Sequence, residues 1–249
     1  LTATSKVNFA QETVYNFPLT LANYSNAIYT DTEGKNSGFF TCAALNVDGL
    51  PSISVGDIGL NPDGPGKDGT TALANIANGL GWSFFAVSEN FEYNTQLTNA
   101  LTNYNAGTYR GSINISSLWS QADTDGLGFF WKKNGVTATN ETMVEFTAKK
   151  GDITHGANES IKKGFRWHEV TVAPEVVVDV YITHMNTYEG SGNTPETNDW
   201  VKAQIAQLVQ MRDYVTEKAN KNNRPAIIMG DTNMRYTRHQ IGDNLITPV

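Results

Sequence analysis

The chain has a single cysteine, Cys42, so no disulfide framework can form within it. Cys42 lies in the apolar run 39–45, FFTCAAL, and reads as a small buried hydrophobe rather than a nucleophile. Cations are scarce as well, with 18 Lys and Arg against 25 Asp and Glu and a formal charge of -7. That balance exerts no general pull on nucleic acid or an anionic membrane, and leaves only a local basic cleft open. No run of about 18 apolar residues is present to span a bilayer as a helix. Nor is there an internal repeat, a close histidine pair or a His-x-x-x-His helix, which disfavours solenoids and zinc hydrolases.

What remains is globular. Hydrophobic residues make up 39% and charged residues 17% of 249, and nothing in the middle reads as a linker, so one domain and a monomer are expected. Abundant Asn, Ser and Thr beside few Lys and Arg suit an extracytoplasmic protein, secreted, periplasmic or at the cell surface. The four Asn-x-Ser/Thr sites at Asn23, Asn114, Asn140 and Asn158 are no more than such a composition yields by chance.

Residues 1–37 show no sustained period and read as an N-terminal extension, with the domain proper over 38–249. The run 38–45 reads as a strand buried on both faces, broken by Asn46 and turn residues. Thr70 can cap a short helix carrying Leu73, Ile76 and Leu80. A strand over 82–87 ends at Ser88-Glu89-Asn90, a short helix covers 96–104, and Asp123-Thr-Asp125-Gly introduces an aromatic strand over 127–131. Strands over 143–147 and 165–172 follow. Pro174 and Glu175 turn the chain into strand 176–183, which delivers His184 at its end. Thr194 or Thr197 can cap a long helix over about 196–219, with Val201, Ile205, Leu208, Met211 or Arg212, and Val215 as its packing stripe. The last strand lies in 225–235, PAIIMGDTNMR, which exits into Asp231-Thr-Asn233. Asp231 and Asn233 point the same way if strand geometry continues, and suit a hydrated hard cation or an attacking water; ordinary turn chemistry yields the same tripeptide. Strands in excess, joined in part by hairpins, make an α/β sandwich.

Taken in order, Asn46 in ALNVDGLP, Glu89 in FFAVSENF, His184 in VYITHMNT, and Asp231 with Asn233 in IIMGDTNMR resemble the endonuclease/exonuclease/phosphatase superfamily, with its deoxyribonuclease I-like fold. Lys163-Gly164 before the hairpin, and the run through Arg235 and Arg238, look like a secreted subgroup of it. The resemblance implies a four-layer α/β/β/α sandwich of two mixed, mainly antiparallel sheets, with the site at one rim. Two departures stand out. Ser88 replaces the family's common Gln, and the family's late Ser-Asp-His segment does not occur before Val249. The expectation is therefore that the native chain continues past Val249 into its final strands.

The resemblance implies a divalent-metal-dependent phosphoesterase using Mg²⁺ or Mn²⁺. Glu89, Asn46 and Asp231 would hold the metal, Asp231 would activate water, Asn233 would orient the scissile phosphate, and His184 would donate a hydrogen bond or proton to a phosphoryl oxygen. Lys163, Arg235 and Arg238 are expected to contact phosphate. Asp125 is expected to face the cleft as a substrate residue or, equally, to form a turn. The substrate classes left open are a phosphorylated small molecule, a lipid headgroup and nucleic acid. The alternatives are a nuclease of the same family and a non-catalytic binding or surface protein on the same fold.

Overall fold

The structure, a computed structural model, describes residues 28–30, 36–51, 53–55, 58–60, 64–111, 113, 123–152, 155–192 and 194–234. The elements in order are β1 (Ile28–Thr30), β2 (Asn36–Gly38), β3 (Cys42–Asn46), β4 (Ile53–Val55), β5 (Ile58–Leu60), α1 (Gly66–Leu80), β6 (Phe84–Ser88), α2 (Asn94–Ala100), β7 (Tyr104–Ala106), β8 (Gly128–Lys132), β9 (Thr137–Glu145), β10 (Gly164–Ala173), β11 (Val176–His184), α3 (Asp199–Asn222) and β12 (Ala226–Asp231). Two four-stranded sheets, β3-β6-β8-β7 and β12-β11-β10-β9, carry the fold; β1-β2 and β4-β5 are separate two-stranded ribbons. Each large sheet pairs two strands in parallel, β3 with β6 and β11 with β12, and the rest antiparallel.

Alternation along the strands builds four layers. Phe84 and Ala86 of β6, Phe129 of β8, Val170 and Val172 of β10, and Val178, Val180 and Ile182 of β11 meet between the sheets. Their neighbours Phe85, Val87 and Phe130 point outward onto α1 and α2 through Ala74, Ala77 and Leu97. Phe165, Trp167 and Tyr181 point outward on the other side, toward Met211 of α3. Every residue of β6 is buried for this reason. The layer order is α/β/β/α, as expected.

The details depart from expectation where polar groups override the apolar pattern. Strand β3 is buried on neither face: Cys42 is exposed, because the face carrying Cys42, Ala44 and Asn46 is left open while Ala43 and Leu45 pack on the helical layer. Thr70 lies inside α1, its Oγ1 donating to Gly66 O at 2.7 Å. Helix α3 is capped by Asn198, whose Oδ1 accepts from Trp200 N at 2.8 Å and Val201 N at 3.3 Å, rather than by a threonine. Its packing stripe is also rotated: Ile205 is 42% and Leu208 41% exposed, while Gln204 at 3% and Gln207 at 0% face inward with Val201 and Met211.

Candidate active site

Parallel pairing brings strand ends together. Asn46 sits opposite Ser88 at the end of β3 and β6, and His184 opposite Asp231 at the end of β11 and β12. Strand β12 packs against β3 and β6, so the two pairs face each other at one rim.

Glu89 follows β6 by one residue with φ 58°, a left-handed conformation that costs an L-residue about 1 kcal/mol. Its carbonyl accepts from Gly49 N and Phe91 N, both at 3.0 Å, which holds the turn. The carboxylate is thereby aimed at Asn46. The Asn46 amide is fixed by Asp48 N, which donates to Oδ1 at 2.9 Å. Its Nδ2 then donates to Glu89 Oε1 at 2.8 Å and to Asp231 Oδ2 at 2.9 Å. One amide thus joins carboxylates from both sheets. His184 Nε2 lies 3.7 Å from Glu89 Oε1 and 3.8 Å from Asp231 Oδ2.

Lys163, Asn233 and the Met185 carbonyl surround these side chains. Lys163 is buried just before β10, with Nζ donating to Met185 O at 2.8 Å and standing 3.2 Å from His184 Nε2. Asn233, with φ 52°, donates from its backbone N–H to Asp231 Oδ1 at 2.8 Å and from Nδ2 to Met185 O at 3.0 Å. Gly230 makes this exit possible: its φ is 134° and an added Cβ would lie 2.0 Å from Thr183 O.

Burial sets the protonation of the cluster. It raises the Glu89 carboxyl, against the Asn46 hydrogen bond and Lys163, while Asp48 and Asp231 raise it further. Burial brings Lys163 down to about 8, against the pull of Glu89 and Asp231. Burial and then the Lys163 charge hold His184 well below the ordinary histidine value. That favours the neutral imidazole, whereas the expected proton-donor role rested on a pKa near neutrality. The charged donor of the cluster is the Lys163 ammonium.

Expected residues Asn46, Glu89, Lys163, His184, Asp231 and Asn233 thus come together. Asp125 does not join them. Its Oδ1 accepts from Leu127 N at 2.9 Å, the turn reading, and its carboxylate is taken by buried Arg166 through Nη2 at 2.6 Å and Nε at 2.7 Å. Arg235 and Arg238 lie outside the described residues. Sequence reading passed over Arg166 and the Met185 carbonyl. It also passed over Gln204 and Gln207, whose only signal was polarity at helix positions one turn from Val201 and Met211. Ser88, noted there as the departure from the family's Gln, is buried with its Oγ lacking a hydrogen-bond partner.

Two carboxylates and an amide form an oxygen-rich, acidic corner, which fits a hard cation such as Mg²⁺ that keeps several waters. Among the described residues no group of three or more His, Cys, Asp or Glu side chains is arranged to hold a metal. Among the described residues such an ion would rest on the Glu89 and Asp231 carboxylates, and Asn46 would join through Oδ1 once its amide turned from Asp48 N.

No protein-family model and no curated protein matches the sequence. Solved structures do match. Truncated TDP2 of Caenorhabditis elegans aligns with TM-score 0.53 and 14% identity over 84% of this chain and 66% of that one. Sphingomyelinase C of Streptomyces griseocarneus aligns with TM-score 0.57 and 14% identity over 81% and 66%. The mannosyl-6-phosphatase of Bacteroides thetaiotaomicron aligns with TM-score 0.55 and 13% identity over 82% and 68%. All belong to the endonuclease/exonuclease/phosphatase superfamily. The chain has the deoxyribonuclease I-like fold. It spans about two thirds of these neighbours' length, and 51% of a longer C. elegans TDP2 structure. Within the deoxyribonuclease I-like fold, the cluster around Asn46 sits where the two parallel strand pairs end.

Proposed function

We infer that this chain is a divalent-metal-dependent phosphoesterase, hydrolysing a phosphate monoester or diester by in-line attack of water. The observation that carries the reading is the Asn46 amide bonded at once to Glu89 and Asp231, carboxylates that only the folded sandwich brings together. The fold adds support, since one neighbour is a mannosyl-6-phosphatase, one a sphingomyelinase C, and TDP2 of D. rerio is seen with a single-strand DNA product.

Glu89, Asp231 and Asn46 would hold Mg²⁺ or Mn²⁺, whose charge when bound neutralises phosphoryl oxygens. Asp231 Oδ2 takes the proton of the attacking water, while its Oδ1 stays on the Asn233 N–H and keeps the carboxylate from turning. Lys163 Nζ supplies positive charge toward the phosphoryl group and shares a proton with His184 Nε2. Neutral His184 orders that ammonium rather than donating a proton of its own. Asn233, held by the Met185 carbonyl, would orient the scissile phosphate. The substrate is left among a phosphorylated small molecule, a lipid headgroup and nucleic acid; the acidic balance of the chain disfavours a long basic groove. The Asn-, Ser- and Thr-rich composition with few Lys and Arg supports an extracytoplasmic location, and among the described residues no helix is long and apolar enough to cross a membrane.

The test is hydrolysis of bis(p-nitrophenyl) phosphate and p-nitrophenyl phosphate with Mg²⁺, Mn²⁺ or EDTA, beside Glu89→Ala and His184→Ala. Cation-dependent turnover lost in both variants is expected, and the ratio of the two substrates reads diester against monoester. A folded, metal-supplied chain that turns over neither would instead be a binding protein on this fold.

A further inference from the structure

Helix α3 is packed inside out at its centre. Ile205, Leu208 and Val209 face solvent while Gln204 and Gln207 are buried. Burying an amide costs free energy unless its atoms are paired, so the exchange needs a reason. Each buried amide is in fact paired with main chain. Gln204 Nε2 donates to Asn186 O at 2.8 Å and Asn233 O at 3.3 Å. Gln207 Oε1 accepts from Asn186 N at 2.9 Å, and its Nε2 donates to Ala148 O at 2.7 Å. Gln210 continues the row three residues on, accepting from Thr147 N at 3.0 Å and donating to Glu145 O at 2.8 Å. The spacing places all three amides on one helix face.

Their targets coincide with the site. In the two residues after His184, Met185 N donates to Asp231 O, Met185 O accepts from Lys163 and Asn233, Asn186 N donates to Gln207, and Asn186 O accepts from Gln204. All four backbone groups are thus held by site residues or by these glutamines. Of the three glutamines, Gln204 reaches both exits of the second sheet, after β11 and after β12. We propose that Gln204 and Gln207 are positioning residues of the active site, setting the backbone that aims His184 and Asn233 without touching substrate. As a statement about catalysis this rests on the phosphoesterase reading; as a statement about backbone geometry it does not.

Gln210 provides the control, because it makes the same kind of bonds to a strand end that carries no site residue. Gln204→Met keeps length and volume and removes the donor. We expect its kcat to fall by about tenfold or more with KM within about twofold. Amide hydrogen exchange at residues 185–187 and 233–234 should quicken by about tenfold or more. Gln210→Met should keep both, at a comparable loss of Tm. Should Gln204→Met not fold, Gln207→Met, which leaves Asn186 N and Ala148 O unpaired, is read in its place. Equal effects of the 204 and 210 variants, or unchanged exchange at 185–187 and 233–234, would overturn the proposal. If the wild-type chain shows no turnover at all, the phosphoesterase reading falls, and the exchange comparison by itself upholds or sinks the positioning role.

Discussion

Strands β3 and β6 bring Asn46 and Glu89 to the rim from one sheet, and β11 and β12 bring His184 and Asp231 from the other. Both pairs are parallel and both are flanked by antiparallel strands, yet their supports differ. On the first sheet the site is set by two left-handed residues, Asp48 and Glu89, and by turn bonds from Asp48 N and Gly49 N. On the second, Lys163, Asn233, Gln204 and Gln207 fix the main chain around a buried histidine. The first half is held by backbone conformation, and the second adds a buried polar network to the left-handed Gly230 and Asn233. A change of charge in the first half should therefore spare the frame, whereas changes in the second should disturb it.

The largest effect should come from Glu89→Gln, which keeps shape and removes the charge. Turnover should fall by about a thousandfold. Stability at pH 7 should rise by about 1 kcal/mol. The sign follows from the raised carboxyl: burial, Asp48 and Asp231 disfavour the ionised form in the folded state, so deleting that charge relieves the fold. Thermal unfolding in EDTA beside turnover in Mg²⁺ checks both halves of this expectation. A destabilised Glu89→Gln would mean that the first half is framed by its side chains after all. Gly230→Ala addresses the second half, where a Cβ would meet Thr183 O at 2.0 Å with φ at 134°. Its urea midpoint should report a loss of about 3 kcal/mol.

The same contrast decides what could be read in the sequence. Strand exits were legible because each ends an apolar run in a polar residue, and the order Asn46, Glu89, His184, Asp231, Asn233 resembles one family. The four layers were implied by the family resemblance, while Phe84 to Val87 and Val178 to Ile182 read only as apolar strands whose two faces the fold then divides between the inner core and the helical layers. What the sequence hid was pairing over distance: nothing local says that Asp125 belongs to Arg166, 41 residues on. The α3 stripe misled for a similar reason. Ile205 and Leu208 have the helical period of a core face, but the groups under α3 are carbonyls and N–H groups of loops, which glutamine satisfies and leucine cannot. The burial of His184, and hence its neutrality, likewise depends on Lys163 arriving from another strand.

Lys163→Met tests the network at its charged centre. It removes the donor to Met185 O and the ammonium 3.2 Å from His184 Nε2. We expect kcat to fall by about a hundredfold. The His184 pKa should rise toward the ordinary value, since Lys163 is the second cause of its depression after burial. An NMR titration of His184 reads that shift without turnover. A His184 that titrates unchanged in Lys163→Met would leave burial alone in control of its charge.

The smallest effect lies between the halves, where His168 of β10 stacks on Phe129 of β8 at 4.3 Å. Burial brings His168 down to about 4, with Glu141 opposing and Arg166 adding to the shift. Below about pH 6.5 the unfolded chain takes up this proton and the folded chain does not, so stability is lost as pH falls from there toward the folded value. Between pH 7 and pH 5 the loss should be about 2 kcal/mol. His168→Phe keeps an aromatic ring against Phe129 and deletes the titration, so urea unfolding across that range should flatten by the same amount. An unflattened curve would assign the acid sensitivity to the His184 network, and the seam between the sheets would then be less pH-sensitive than the half it supports.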